Sequence, residues 1–164
     1  MTIFRKYDII NKILYAFAER ADMDKSTDML FQMIDSDPEG FLEDIDKIGL
    51  SSQKSLFTDY LYKAMSRRNI SFRQLSVLTN ISLSQIYQLS SGQRGTGRDN
   101  AILIALALGL DLKETQQLLR LSYNGMLYPK VRRDAIIICC IECGMTISET
   151  NDKLLEKSEK GLIQ

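Results

Sequence analysis

The side chains with the clearest chemical potential lie in residues 82–91, a predicted short helix with hydroxyl and amide groups and no cation. If Ile86 and Leu89 face the core, the outer side of this helix carries Ser82, Leu83, Ser84, Tyr87 and Gln88. Glutamine pairs with adenine through two hydrogen bonds, serine contacts either base of a pair, and leucine meets the methyl group of thymine. The pattern predicts base reading in a DNA major groove, with a preference for A·T pairs because no Arg or Lys is present for guanine. The alternative is a solvated helix face without a binding role.

Residues 92–98, Gly-Gln-Arg-Gly-Thr-Gly-Arg, form a predicted loop directly after this helix. Its glycines let backbone N–H groups approach a phosphate, and Arg94 and Arg98 can add charge-assisted hydrogen bonds. Arg73, on the preceding predicted helix, is a further candidate for a phosphate contact. The loop lacks the spacing of a Walker loop and does not follow a strand, so it does not predict nucleotide binding. A flexible connector, with Gly92 as the helix C-cap, is the alternative.

Two predicted helix starts position these side chains. Ser71 with Gln74, and Ser82 with Gln85, both have the S-x-x-Q spacing of a capping box. In that motif the hydroxyl accepts from the N–H of the glutamine, and the glutamine side chain accepts from the N–H of the cap residue. Because the two starts are eleven residues apart, the first helix must end within a few turns.

The segment between the two starts is predicted to be a tight turn. Asn80 occupies it, and asparagine tolerates the left-handed backbone conformation better than most residues. Ile81 is expected to pack against the second helix, while Leu75 and Leu78 are expected to form the core face of the first. A helix that stops and restarts this abruptly is typical of a helix-turn-helix, whose second helix enters the major groove.

Residues 61–112 resemble the Cro/lambda-repressor-like helix-turn-helix family, also called the xenobiotic-response-element type of regulator. The matching residues are Ile70-Ser71, Gln74-Leu75-Ser76, Asn80-Ile81-Ser82, Ile86, Leu89, Gly92 and Ile104 to Gly109. The resemblance implies a sequence-specific transcriptional regulator of a bacterial or phage cytoplasm, which binds a two-fold operator in double-stranded DNA as a homodimer. It also implies that Leu83, Ser84 and Gln88 contact bases. Phe72 stands where the family often has a polar phosphate-binding residue.

Charge is unevenly distributed along the 164 residues, although the formal net charge is zero. Residues 1–53 carry six Lys or Arg and eleven Asp or Glu, residues 54–98 carry seven and one, and residues 99–164 carry eight and nine. A basic segment supplies the sequence-independent attraction to phosphates that nucleic-acid binding requires. Because this segment coincides with the predicted helix-turn-helix, it favours DNA binding. The alternative is that it docks against the acidic N-terminal segment.

A rival function is open at this point. The chain is also compatible with a helical protein-interaction adaptor that kept a helix-turn-helix fold without DNA binding. The near-neutral total charge, the acidic flanks and the absence of cations in residues 82–91 favour this alternative.

The chain reads as all-α, because strand-like alternation is absent and only two prolines interrupt helix-forming residues. We predict an acidic helical module in residues 1–53, with an amphipathic helix over 3–20. A DNA-binding domain follows in residues 54–112, and a C-terminal helical extension in residues 113–164. The N-terminal helices and the C-terminal helix hairpin are the candidate surfaces for the homodimer or for another protein partner.

The C-terminal extension repeats the helix pair of residues 98–127 about 35 residues later. Arg98-Asp99 returns as Arg133-Asp134, and Gly125-Met126 returns as Gly161-Leu162 if one residue is inserted. A fixed period of this kind predicts helix hairpins that stack and bury a shared face. Arg133 is expected to pair locally, with Asp134 or with a carboxylate of the next turn.

The remaining composition argues against catalysis, metals and membranes. Cys139, Cys140 and Cys143 share one predicted helix, but without histidine or a second cysteine cluster they do not complete a four-ligand metal site. We expect all three to be buried apolar residues in a reducing, cytoplasmic protein. The absence of histidine removes the usual general base, so neither an enzyme nor a cofactor is expected. No apolar run reaches the roughly eighteen residues of a membrane span.

Overall fold

The computed structural model describes residues 23–48, 50 and 53–163, and within these ranges it contains helices and no β-strand. The all-α prediction is confirmed for this part of the chain. The chain divides into two compact units, residues 1–50 and 51–164. The predicted helix over 3–20 lies outside the described residues. The helices are α1 (Met23–Ser36), α2 (Pro38–Glu43), α3 (Ile45–Ile48), α4 (Gln53–Arg68), α5 (Phe72–Thr79), α6 (Leu83–Ser90), α7 (Arg98–Ala107), α8 (Leu112–Leu121), α9 (Arg132–Glu142) and α10 (Ile147–Glu156).

None of the described helices has both the length and the apolarity needed to cross a membrane.

The first unit contains α1, α2 and α3. Pro38 opens α2 at a position where its missing N–H has no intrahelical partner to lose. The side chain of Asp37 caps this helix by accepting a hydrogen bond from Gly40 N at 3.2 Å. Phe41 is buried within the unit.

In the second unit, α5 and α6 are joined by the turn that the sequence predicts. Ser71 and Gln74 form the complete capping box, with Ser71 N donating to Gln74 Oε1 at 2.8 Å and Gln74 N donating to Ser71 Oγ at 3.3 Å. Ser82 caps α6 by accepting from Gln85 N at 3.3 Å, but the structure gives no reciprocal bond from the Gln85 side chain. Asn80 has left-handed backbone angles, with φ 56°. The prediction of two complete boxes is therefore wrong for the second start, and the predicted turn is confirmed.

The core face of α5 differs from the prediction at one position. Leu75 is buried, but Leu78 is 49% exposed and Thr79 takes the inner position instead. Thr79 is tolerated there because its hydroxyl donates to Leu75 O at 2.7 Å and accepts from Ile81 N at 3.3 Å. Ile81 is buried beside it, as expected.

Replacing Ser71 with alanine is expected to lower the free energy of unfolding by about 1 kcal/mol, because α5 loses a side-chain cap. Urea denaturation of the two proteins measures the difference. Ser82→Ala is the matched comparison, since Ser82 caps α6 without the reciprocal bond. We expect the smaller loss at Ser82, because Ser71 Oγ also donates to Gln74 Oε1 at 2.8 Å, and equal losses would show that this additional bond adds nothing.

Helices α4 to α8 enclose one hydrophobic cluster. Each helix contributes a side chain that is almost fully buried: Leu61, Leu75, Ile86, Ile104 and Leu118. Truncating such a side chain to alanine costs about 2–5 kcal/mol, so this cluster is what fixes the orientation of α6.

Polar contacts tie the end of α4 to the junction between α7 and α8. Arg67 forms an ion pair with Glu114 at 2.8 Å, and Arg68 Nη2 donates to Gly109 O at 2.7 Å. Tyr60 Oη donates to Glu114 O at 3.0 Å. Burial, with the nearby Glu114 charge, raises the pKa of Tyr60 to about 12, so its hydroxyl remains a donor at neutral pH.

Helices α9 and α10 repeat α7 and α8 at an offset of 35 residues. Gly109 and Gly144 end the first helix of each copy with positive φ, and Asp111 and Thr146 begin the second with complete capping boxes. The same local conformations therefore recur at this offset. No residue is inserted, however, and that detail of the prediction is wrong.

The unbroken offset is clearest in the loop that closes each copy. The Gln116 side chain bonds the backbone of Leu127, accepting from its N–H at 2.8 Å. Asn151, which is 35 residues later, accepts from Leu162 N at 3.0 Å. Met126-Leu127 is therefore equivalent to Gly161-Leu162 without any insertion.

The two copies exchange ion pairs across their interface. Arg98 donates to both carboxylate oxygens of Asp134, at 3.0 and 2.8 Å, and Arg133 donates to Asp99 at 2.9 Å. The prediction that Arg133 pairs with Asp134 or with the next turn is therefore wrong. Helix α7 packs against α10 and α8 packs against α9. Such reciprocal contacts are those of an isologous interface, so the copies face each other around a shared apolar cluster rather than stacking head to tail.

The outer face of the second copy differs from the equivalent face of the first. Ile104 of α7 and its C-cap Leu108 are buried in the cluster of α4 to α8, but their equivalents Cys139 of α9 and its C-cap Cys143 are exposed. The prediction of three buried cysteines is wrong for these two, because the described part of the chain places no further helix over this face. Cys140 is buried, and burial raises the pKa of its thiol.

Candidate nucleic-acid interface

The outer side of α6 carries the five side chains that the sequence assigns to it. Ile86 and Leu89 point into the core and are buried. Ser82, Ser84 and Tyr87 are therefore exposed, while Leu83 and Gln88 are partly exposed. These five side chains lie along one edge of the helix and are not part of the hydrophobic core.

An aromatic wall borders this edge. The ring of Phe72 lies 5.6 Å from that of Tyr62 and 5.2 Å from that of Tyr87, both measured between centroids. With Leu83 and Gln88 these rings line an open depression of about 680 Å³ on the surface, which we call the aromatic depression. Sequence reasoning missed Tyr62, although its place next to the core residue Leu61 on α4 puts it off the core face.

Three cations of residues 54–98 are close in sequence to the residues that form this surface. Lys63, Arg73 and Arg94 are exposed, and none makes a hydrogen bond or ion pair through its side chain to another described residue. Arg73 follows Phe72 in the first turn of α5, and Arg94 lies three residues after Ser91, the C-cap of α6. Among the cations of residues 54–98 whose side chains the structure describes, a phosphate can bind these three without breaking an existing contact.

Arg98 is not in this set, contrary to the expectation from sequence. Its guanidinium makes four hydrogen bonds, two to Asp134 and one each to the carbonyl oxygens of Gly125 and Met126 at 2.9 and 3.1 Å. A guanidinium has five N–H groups, so one is left. The residue holds the two repeat copies together, and we remove it from the candidate phosphate contacts.

The loop of residues 92–97, which we call the arginine loop, has a defined conformation. Gly92 has φ 69°, and Arg94 N donates to Gln88 O at 3.2 Å, which closes the end of α6. At Gly95 and Gly97 an added Cβ would meet no atom within 4 Å, so the protein's own packing does not require glycine there. Open space on the outside of these positions leaves the backbone accessible to a ligand.

Among the residues that the structure describes, no three His, Cys, Asp or Glu side chains are grouped to hold a metal ion. Comparisons of the chain with protein-family models, with curated proteins and with solved structures found no match. The functional conclusion therefore depends on the geometry of α6, the aromatic depression and the free cations.

Proposed function

We propose that this protein is a sequence-specific DNA-binding regulator of transcription, in which α5 and α6 act as a helix-turn-helix. The observation that carries the proposal is the free edge of α6, where Ser84 and Gln88 lie beside the core-facing Ile86, with unpaired cations before and after it. We also propose that the protein is cytoplasmic and that its partner is double-stranded DNA. The helix-turn-helix resemblance of residues 61–112 agrees with this proposal.

The free cations supply the affinity that does not depend on sequence. Each phosphate neutralised by Lys or Arg contributes roughly −0.9 to the slope of log affinity against log salt concentration. Lys63, Arg73 and Arg94 together give a slope of about −3 for one chain and about −5 for two. One half-site of this size is a small interface, so we propose that two copies bind a two-fold operator.

The edge of α6 supplies the sequence preference. The amide of Gln88 can pair with adenine through two hydrogen bonds, and Leu83, at the rim of the aromatic depression, can contact a thymine methyl group. No arginine or lysine lies on α6 to pair with guanine. The proposed operator is therefore A·T-rich at the positions that α6 covers.

The aromatic depression also favours a second candidate function, a protein-interaction adaptor. Tyr62 and Tyr87 are each about half exposed, and exposed aromatic rings are enriched at protein interfaces. A peptide with an apolar side chain would fill this depression without involving Arg73 or Arg94. The two functions therefore differ in their dependence on these cations.

A selection from random duplex DNA, followed by titration at several salt concentrations, tests the proposal. We expect an A·T-rich motif to be enriched, and we expect Arg73→Ala and Arg94→Ala each to reduce the size of the salt slope by about 2, because each removes one phosphate contact in both bound copies. Lys130→Ala is the control, because Lys130 is an exposed cation outside α4 to α6 and its loss should leave the slope unchanged. Failure of the wild-type protein to bind any duplex at low salt would overturn the proposal and favour the adaptor.

A further inference from the structure

A side chain of the first repeat copy, Asn124, binds the arginine loop. Asn124 lies just after α8 in the first copy, and its Nδ2 donates to Thr96 O at 3.0 Å. The same amide nitrogen also donates to Ser122 O at 3.2 Å and Ser122 Oγ at 3.0 Å, which fixes its orientation. A residue 28 positions away in sequence therefore holds the end of the loop.

This contact and one other bracket Arg94. On one side Arg94 N donates to Gln88 O, and on the other Thr96 is buried and its carbonyl oxygen bonds Asn124. A buried carbonyl group that loses its partner is costly, so the loop should open if Asn124 cannot donate. In the intact protein, the backbone on both sides of the exposed Arg94 side chain is fixed by these two hydrogen bonds.

The second copy shows that the helix hairpin can form without asparagine at the position of Asn124. The residue equivalent to Asn124 in the second copy is Glu159, and both backbone N–H groups make the same bond, to Leu119 O and Leu154 O respectively. The Glu159 side chain pairs instead with Arg132 at 3.0 Å and holds no loop. The bond to the arginine loop is therefore made by Asn124 and not by its equivalent in the second copy.

We propose that Asn124 is a positioning residue, through which the first repeat copy sets the place of Arg94 beside α6. This rests on the proposed DNA-binding function, in which Arg94 binds a phosphate while Gln88 contacts a base. The repeat pair thus acts as the rigid support of the DNA-contacting loop. Arg98, the first residue after the loop, strengthens this support because its guanidinium pairs with Asp134 of the second copy.

The test uses the full chain with Asn124→Ala and Asn124→Asp, the second being similar in shape but unable to donate to Thr96 O. Glu159→Gln is the matched control in the other copy. Trypsin cleavage after Arg94 reports on the loop without DNA, and the salt slope of duplex binding reports on the Arg94 contact. The double variant Asn124→Ala/Arg94→Ala shows whether the two residues act together.

We expect cleavage after Arg94 to accelerate about five-fold in both Asn124 variants, as for the loss of one hydrogen bond that closes a loop. We also expect the size of their salt slope to fall by about 2, one Arg94 contact in each of two copies, with no further fall in the double variant, while Glu159→Gln matches the wild type. Unchanged cleavage would overturn the positioning role. Faster cleavage with an unchanged slope would overturn the link to DNA. Absence of duplex binding by the wild type would instead overturn the proposed function, and the cleavage rates would still decide whether Asn124 holds the loop.

Discussion

Replacing Arg98 with methionine is expected to lower the free energy of unfolding by about 3 kcal/mol. The substitution leaves the carboxylate of Asp134 buried, with 6% of its side chain exposed, and without its charged partner. Breaking a buried ion pair from one side costs about 3–5 kcal/mol. We expect the lower end of that range, because Tyr128 N still donates to Asp134 at 3.0 Å. Urea denaturation at pH 7 measures the loss.

The loss of stability in Arg98→Met should depend on pH, and the pKa of Asp134 in the wild type predicts the direction. Burial opposes ionisation of Asp134, but hydrogen bonds from Arg98 and Tyr128 and the charges of Arg98 and Arg133 outweigh it, so its pKa is lowered. A lowered pKa in the folded state stabilises the protein above the unfolded pKa of about 3.9, and this stabilisation is lost as pH falls through the folded value. Without Arg98, burial dominates. We therefore expect the difference between the two proteins to shrink from pH 7 to pH 3.

The repeat provides the matched control for this prediction. Arg133→Met breaks the equivalent ion pair, but the side chain of Asp99 is 34% exposed and water can replace the lost partner. We expect a clearly smaller loss of stability than for Arg98→Met, and little dependence on pH. Equal losses in the two variants would contradict the account, because burial of the carboxylate would then not be the cause.

Replacing Gln88 with alanine is expected to remove about 1–3 kcal/mol of discrimination between the selected duplex and one with a substituted adenine. The physical reason is the loss of a two-bond contact to one base, while the phosphate contacts of Arg73 and Arg94 are kept. Affinity for unrelated duplex DNA should therefore change little. Competition binding with the two duplexes at fixed salt measures the discrimination.

Gln85→Ala is the control for Gln88→Ala. Gln85 has the same side chain on the same helix, but it does not line the aromatic depression. We expect it to leave discrimination unchanged. A uniform fall in affinity for all duplexes after Gln88→Ala, with discrimination intact, would contradict base reading by Gln88.

Local signals in the sequence were enough to predict the parts of the fold that depend on neighbouring residues. The cap at Ser71 and the left-handed turn at Asn80 follow from hydrogen bonds or backbone preferences within a few positions. Thr79 could not be predicted as a core residue in the same way. Its burial depends on bonds that its hydroxyl makes with Leu75 and Ile81 once both are packed.

The role of a charged or thiol side chain depended instead on distant partners. Arg94 and Arg98 contribute equally to the positive charge of residues 54–98. The structure separates them, because Arg98 is bound by Asp134, 36 residues away in sequence. Cys139 and Ile104 occupy equivalent positions in the two copies, but only Ile104 is covered by the cluster of α4 to α8. The sequence does not show which distant residues come into contact, so it cannot distinguish an unpaired cation from one that is bound by a carboxylate.

The central claim is that the outer edge of α6 contacts bases while the arginine loop contacts phosphate. The most direct test is titration of the isotope-labelled protein with the selected duplex, following backbone and side-chain amide resonances. We expect the largest changes at Ser84 and Gln88, including the side-chain amide of Gln88, and at Arg94, with α9 and α10 almost unaffected. Saturable binding that changes α9 and α10 and leaves Ser84 and Gln88 unchanged would contradict the claim.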